Sequence, residues 1–316
     1  MSPGRVTTVT LRPALDQTVI VPVLTPGTVH HAQSMRFDAG GKGVNVAAFL
    51  ADHGAAVTAT GLLGEEDAAV FEALFAAKGI EDRFVRVPGM TRINLKLVDA
   101  SRRETTDIHL PAPPPPASAL AELDRRILGL AATSTWFVLA GSVPAGVPPD
   151  VYETMTRRLH ERGARVAVDT SGAPLSHALA AKPDLVKPNR AELEQLVGKS
   201  LPTLSDVASA ARALQERGTA VVVVSLGVEG ALFVNGEGAW YVRPLPVAVA
   251  TTAGAGDALV AGLVAGLLEG LALPAAARRA TAFAAAKLAR VGPHLGPPEA
   301  VKALEAQVDV HAFGTE

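Results

Sequence analysis

No cysteine occurs among the 316 residues, which excludes disulfides, cysteine nucleophiles, thiolate zinc sites and iron–sulfur clusters. Runs of like charge are missing too. The 29 Lys and Arg face 31 Asp and Glu, for a net charge of −2, so there is no electrostatic handle for nucleic acid or a membrane surface. The opening stretch "MSPGRVTTVTLRPALD" holds no long apolar segment, and the apolar run from Ala258 to Leu268 is far shorter than the ~20 residues a membrane span requires. The expected location is cytoplasmic. The 8 histidines are scattered without a spacing such as H-x-x-x-H, and they read as structural or surface residues rather than metal ligands. No repeat of fixed period and no long linker divides the chain.

What is present builds a core. At 48% hydrophobic residues, the chain suffices for one large core or two modest domains. "TWFVLAG" (135–141), "ARVAVDTS" (164–171), "DLVKPN" (184–189) and "TAVVVVSLG" (219–227) read as buried strands. Between them, "PDVYETMTRRLHERG", "AELEQLVG" and "LSDVASAARALQERG" carry helical periodicity and end in glycine. This alternation predicts an α/β fold, a parallel sheet with helices on both faces. Residues 18–41 and 91–110 break the pattern and predict strand pairs, a small β-lid with segments near 12–37 and 88–112 of a single 1–316 domain. The run Pro111 to Pro116 reads as an extended connector, with Ser118 expected to cap the helix that follows. The C-terminal third predicts two Ala-rich helices broken near Pro274, packed tightly through Gly262 and Gly266.

Six short stretches are candidates for chemistry, and each has a structural reading beside the functional one. "DAGGKGVNVAAFL" (38–50) places Gly40, Gly41 and Gly43 before an apolar helix, as either a tight turn or an anion site. It has neither the dinucleotide nor the Walker spacing. "TRINLKL" (91–97) sets Arg92, Asn94 and Lys96 on one strand face, solvated or ligand-facing. In "LAGSVPAG", Ser142 follows a strand, where open α/β sheets bind ligands or merely turn. Asn189 and Glu192 in "VKPNRAEL" have the spacing of a capping box, and equally of oxygen donors holding magnesium through water. "VSLGVEGAL", with Gly227 and Gly230, is a hairpin turn or the edge of a nucleotide site. In "AGAGDALVAG", Asp257 either belongs to a helix start or takes a proton.

The order of "GGKGVN", "TRIN", "LAGSVPAG", "KPNRAEL", "SLGVEGA" and "AGAGDALVAG" along one α/β chain resembles the ribokinase-like, PfkB-type carbohydrate kinases over nearly the whole length. The resemblance implies a three-layer α/β/α sandwich with a mainly parallel sheet and a small β-lid. It also implies ATP-dependent phosphorylation of a ketohexose that already carries a phosphate, with Mg2+ as cofactor and a homodimer formed through the lid. Members acting on fructose 1-phosphate are the most similar, followed by those acting on tagatose 6-phosphate or fructose 6-phosphate. A catalytically silent sugar-phosphate sensor is the alternative of another class. Asp257, the glycines before it, Asn189 and Glu192 argue against it, because a sensor needs neither base nor metal.

By the same resemblance Asp257 is the catalytic base, and Gly254, Ala255 and Gly256 form an anion hole for the transferring phosphoryl group. Helix-start N–H groups are expected to favour ionised Asp257, making it a weak base. Asp16, Gly41, Asn45 and Arg92 match sugar-binding positions, and Lys42, Arg92 and Ser142 match contacts to the resident phosphate. A neutral sugar would not offset the burial of the Lys42 charge. Lys187, Ser225, Gly227 and Gly230 match ATP-contacting positions, and Asn189 with Glu192 matches the magnesium-organising N-x-x-E. Departures from the family pattern are Arg12, where members carry asparagine, "TTAGAGD", and Pro111 to Pro116, where a glycine is common. Lys287 and Arg290 stand where some relatives bind a monovalent cation.

Overall fold

Period-two alternation sends neighbouring side chains of each central strand into different cores. In the computed structural model, which describes residues 4–102 and 104–314, Trp136, Val138 and Ala140 enter one core while Phe137 and Leu139 enter the other. The four valines divide likewise, Val221 and Val223 against Val222 and Val224. A strand apolar on both faces needs helices on both faces to bury it, each valine contributing roughly 1.5 kcal/mol or more.

The chain begins with β1 (Arg5–Thr10), a hairpin of β2 (Ala14–Val21) and β3 (Ser34–Gly40), and α1 (Lys42–Asp52). Then come β4 (Val57–Gly64), α2 (Ala68–Lys78), the short β5 (Glu81–Asp82) and β6 (Val85–Val87), and the pair β7 (Ile93–Asp99) and β8 (Glu104–His109). From α3 (Ala117–Leu130) onward, strand and helix alternate through β9 (Ser134–Ala140), α4 (Val151–His160), β10 (Arg165–Asp169), α5 (Gly172–Ala180), β11 (Leu185–Val186), α6 (Arg190–Val197), α7 (Leu204–Glu216) and β12 (Val221–Ser225). β13 (Ala231–Asn235) and β14 (Gly238–Val242) precede α8 (Ala255–Leu268), α9 (Leu273–Leu288), α10 (Pro298–Glu305) and β15 (Val310–Ala312).

The main sheet runs β15-β14-β13-β12-β11-β10-β9-β1-β4-β5, with β6 also on β4. It is parallel from β12 to β5 and antiparallel from β12 to β15. One core packs α1, α2, α8 and α9 on it; the other packs α3 to α7. This is the α/β/α sandwich with a mainly parallel sheet. A separate four-stranded sheet, β3-β2-β7-β8, stands over the carboxyl end of β1. Met1 to Pro3, Arg103 of the expected lid segment, Thr315 and Glu316 lie outside the described residues. No helix among the described residues is long and apolar enough to cross a membrane.

Two local readings are revised. Ser118 is not a cap, because Pro116 takes that position and α3 starts at Ala117; the fixed φ of proline suits a helix entry. Strand "DLVKPN" shrinks to Leu185–Val186 in β11, since Pro188 cannot donate to a ladder. The glycine spacing in α8 does serve close packing on α9. A Cβ at Gly262 would lie 2.7 Å from Ala280 Cα, and one at Gly266 would lie 2.9 Å from Ala276 Cα. Gly262→Val should therefore lower stability by about 1–3 kcal/mol through overpacking. Gly129→Ala, in α3 with open space around the site, should gain up to about 1 kcal/mol. Urea unfolding of both variants checks the contrast, and equal midpoints for the two would contradict it.

Candidate active site

The glycine turn between β3 and α1 exists because two chain segments meet there. Gly41 has φ +113, and a Cβ on it would lie 3.0 Å from Pro13 Cα and 3.1 Å from Thr10 Cγ2. The turn starts α1 beside the end of β1, and Lys42 and Asn45, three apart, share one helix face. From that face the Asn45 amide donates to Asp257 Oδ2 at 2.7 Å, and the Lys42 ammonium donates to Asp169 Oδ1 at 3.0 Å. Lys187 Nζ lies 3.4 Å from the same Asp169 oxygen. Asp169, Lys187 and Asp257 are all buried, and Asp169 Oδ2 is buried with no partner.

Asp257 is the third residue of α8, not its cap. Gly254 caps the helix in the left-handed conformation, φ 81, which suits glycine. The first N–H groups of the helix, from Ala255 and Gly256 onward, lack intrahelical acceptors and carry the positive end of the helix dipole. Lys187 also borders this turn, its Nζ 3.4 Å from where a Cβ on Gly256 would stand. Loop glycines, an ammonium and a helix start thus converge beside a buried carboxylate, an arrangement suited to an anion and a proton acceptor.

The expectation that Asp257 is held ionised is corrected here. Burial pushes its carboxyl up from the ordinary 3.8, and the Asp169 charge adds to the rise; Lys42, the Asn45 hydrogen bond and Lys187 pull the other way without cancelling it. Removing water from a carboxylate outweighs the helix-start N–H groups. The Lys42 ammonium stays protonated. Burial opposes its charge, but Asp169 first, then Asp257 and Glu192, raise its pKa above the ordinary 10.5. Because Asp169 answers that charge within the protein, Lys42 alone does not argue for an anionic sugar. Nor does the structure bring Lys42 against Arg92. It stands with the acidic residues near Asp257.

Asn94 and Lys96 of β7, with Arg92 just before the strand, are linked through one set of hydrogen bonds. Asp16 on the neighbouring β2 pairs in register with Asn94. Its Oδ1 accepts from the Asn94 amide at 2.9 Å and its Oδ2 from Lys96 Nζ at 3.1 Å. Arg92 donates to Asn94 Oδ1 at 2.9 Å and to the Pro13 carbonyl at 3.2 Å. A cleft of about 770 Å3 lies between the lid and the main sheet, lined by Asp16, Asn45, Lys96, Gly254 and Lys287 among others. Lys287 donates to the Arg290 carbonyl at 2.8 Å, and its pKa is lowered by burial and then by Lys96.

The remaining candidates stand further along the sheet. Ser142 is exposed in the loop after β9, next to Gly141, whose N–H donates to the Asp169 carbonyl at 2.9 Å. Asn189 and Glu192 form the full capping box of α6: Asn189 Oδ1 accepts from the Glu192 N–H at 2.9 Å, and Glu192 Oε2 accepts from the Asn189 N–H at 2.8 Å. Ser225 ends β12 and bridges to Asn189. Gly227 opens a short 3-10 turn, while Gly230, φ +105, is required by the Val242 carbonyl, 2.1 Å from where its Cβ would stand. Among the described residues no group of three or more His, Cys, Asp or Glu is placed to ligate a metal directly. Asp169 went unread as a site residue in the sequence. A lone carboxylate ending a buried strand, in "VAVDTS", was the available signal.

The raised pKa of Asp257 has a sign for stability. The folded protein binds this proton more tightly than the unfolded chain, so stability declines as pH rises through the interval above the ordinary 3.8. Asp257→Asn removes the buried charge. It should raise the urea midpoint at neutral pH, with the gain closing as pH falls toward the ordinary carboxylate range. A variant less stable than the wild type at neutral pH would contradict the assignment.

The comparisons with known proteins fit this geometry. The chain is 46% identical to a 1-phosphofructokinase of Rhodobacter capsulatus, over 97% of each chain. Its fold matches phosphofructokinase-2 of Escherichia coli in complex with potassium, with a TM-score of 0.90 and 31% identity over 96% of this chain and 99% of that one. The fold alone is shared with ribokinase of Thermotoga maritima, at TM-score 0.76 and 22% identity over 95% of this chain and 98% of that one. With residues 10–300 matching the family described as pfkB family carbohydrate kinase, and with the ribokinase-like sheet, lid and helix start arranged as above, the chain belongs to the pfkB family of carbohydrate kinases.

Proposed function

We propose that the protein transfers the γ-phosphoryl group of ATP to the free primary hydroxyl of fructose 1-phosphate, giving fructose 1,6-bisphosphate and ADP. The observation that carries the reading is Asp257, a buried carboxylate at the start of α8 whose pKa is raised by burial and which faces Asn45 beside the sugar cleft. The similar 1-phosphofructokinase supports fructose 1-phosphate over tagatose 6-phosphate or fructose 6-phosphate. As the hydroxyl oxygen attacks phosphorus, its proton passes to Asp257 and the bond from phosphorus to the bridging oxygen of ADP breaks. A loose transition state asks for positioning and charge stabilisation more than for a strong base.

Each of the other residues has a part. Gly254, Ala255 and Gly256 present N–H groups to the transferring oxygens, with Lys42 and Lys187 supplying positive charge beside them. Asp16, held by Asn94 and Lys96, and Asn45, with the Gly41 turn beside them, orient the sugar hydroxyls; Arg92 and Ser142 take the resident phosphate. Ser225, Gly227 and Gly230 border the nucleotide. Asp169 Oδ2, buried without a partner, and Glu192, kept in place by its capping box with Asn189, are oxygen donors suited to a magnesium ion held through water, which when bound supplies charge against the ATP phosphates.

The lid carries an apolar outer surface with Met35, Phe37, Ile108 and Leu110 exposed on it and Val29 in the adjoining loop. We place a homodimer contact there, as a patch of this kind favours burial against a second copy. Light scattering at micromolar concentration should give twice the chain mass, and Phe37→Glu should return it to one chain. A wild-type monomer would contradict the contact.

The catalytic reading is tested by Asp257→Asn, which should lower kcat by about 10²–10⁴ with both substrates still bound. In a substrate panel kcat/KM should rank fructose 1-phosphate above fructose 6-phosphate and tagatose 6-phosphate. Near-normal turnover by the variant, or a different ranking, would sink the corresponding assignment.

A further inference from the structure

Arg12 has no role in the contacts described so far, yet its guanidinium is placed for one. It follows β1 and lines, together with Arg92, a second cavity of about 210 Å3. The other walls are apolar, from Leu11, Leu62, Val87 and the run Pro111 to Pro116, with Pro144 of the Ser142 loop closing one side. The cavity adjoins the main cleft through the chain of contacts from Arg92 to Asn94 to Asp16.

Neither arginine is neutralised by the protein. Among the described residues no carboxylate lies within ion-pair distance of either, and Arg92 spends its hydrogen bonds on neutral partners, the Pro13 carbonyl and the Asn94 amide oxygen. The adjacent acid, Asp16, is already taken by Asn94 and Lys96. Burial first, and the positive charge of Arg12 next, hold the Arg92 pKa below its ordinary 12.5. Two like charges against apolar walls are unfavourable unless an anion joins them. The wall itself offers little competition, because prolines carry no N–H. Two arginines lining one space, close enough for the charge of one to act on the other, offer donors that suit the several oxygens of a phosphate.

We propose that Arg12 is a specificity-determining residue that grips, with Arg92, the phosphate already present on the sugar; this rests on the phosphotransfer reading above. The sugar then lies with its phosphate toward the proline wall and its free hydroxyl toward Asp257, spanning the two cavities. The inference adds a residue to the clamp and names the Pro111 to Pro116 run as one wall of the space that takes the anion.

The test uses the full-length protein and the sugar phosphate that the wild type turns over best. Arg12→Gln should raise KM for that sugar about tenfold or more, as loss of a charged hydrogen bond does, with KM for ATP moving less than about twofold. Arg12→Lys keeps the charge but loses the fork, and should fall between the wild type and Arg12→Gln, giving a second measure should Arg12→Gln fold poorly. Unphosphorylated fructose, used as a weak substrate, should show no comparable rise. A wild type inactive on every sugar phosphate overturns the kinase reading and this inference with it. An active wild type whose sugar-phosphate KM stays within about twofold in both variants, or whose KM values for ATP and sugar rise together, overturns the role of Arg12 alone.

Discussion

Two carboxylates and two ammonium groups share the space where β1, β9 and β10 end, and the order of the site follows from their mutual compensation. Asp169 sits between Lys42 and Lys187 at 3.0 and 3.4 Å, while Asp257 is held by Asn45 and acted on by both lysines. A charge buried singly in this position would be expelled or neutralised. Asp169, paired with Lys42 of α1 and Lys187 of the loop after β11, ties those elements to β10, while the Asn45 hydrogen bond to Asp257 ties α1 to α8. The glycine turn before α1 and the glycine cap of α8 flank this cluster, and a Cβ would crowd Pro13 and Thr10 at Gly41 and Lys287 at Gly254.

The fold sets two sheets on either side of one cleft. The main sheet and its helices hold the buried charges, while the four-stranded lid offers Asp16, Asn94 and Lys96, with Arg92 just before β7, linked through one set of hydrogen bonds. The cleft lies between them. The two sheets are joined by short connections such as Leu11–Pro13 and Gly40–Gly41, and Leu15, Ala39 and Ile93 of the lid pack against the core of the main sheet.

Much of the fold was legible because the alternation of β-branched runs with amphipathic helical runs is a strong periodic signal, as the four valines of β12 and the period of α7 illustrate. The site was legible in outline, through the order of its glycine-rich and polar stretches. Two points escaped. Asp169 looked like the end of an ordinary buried strand, and only the chain crossing brings Lys42, 127 residues earlier, onto it. Asp257 looked like a residue stabilised by its helix start, but burial, which sequence does not display, dominates. In each case the missing quantity was solvent exclusion or a long-range pairing, not residue chemistry.

The glycine-mediated seam between α8 and α9 has a consequence for where substitutions are felt. Every residue from Asp257 to Gly266 is buried, and the two helices touch backbone to backbone at Gly262 and Gly266, so Asp257 at the head of α8 sits on a piece that has no slack. Side chains on the outer face of the lid, such as Met35, Phe37 and Ile108, are exposed and not held in this way. A substitution in the seam therefore displaces the head of α8, while one on the outer face of the lid leaves it undisturbed.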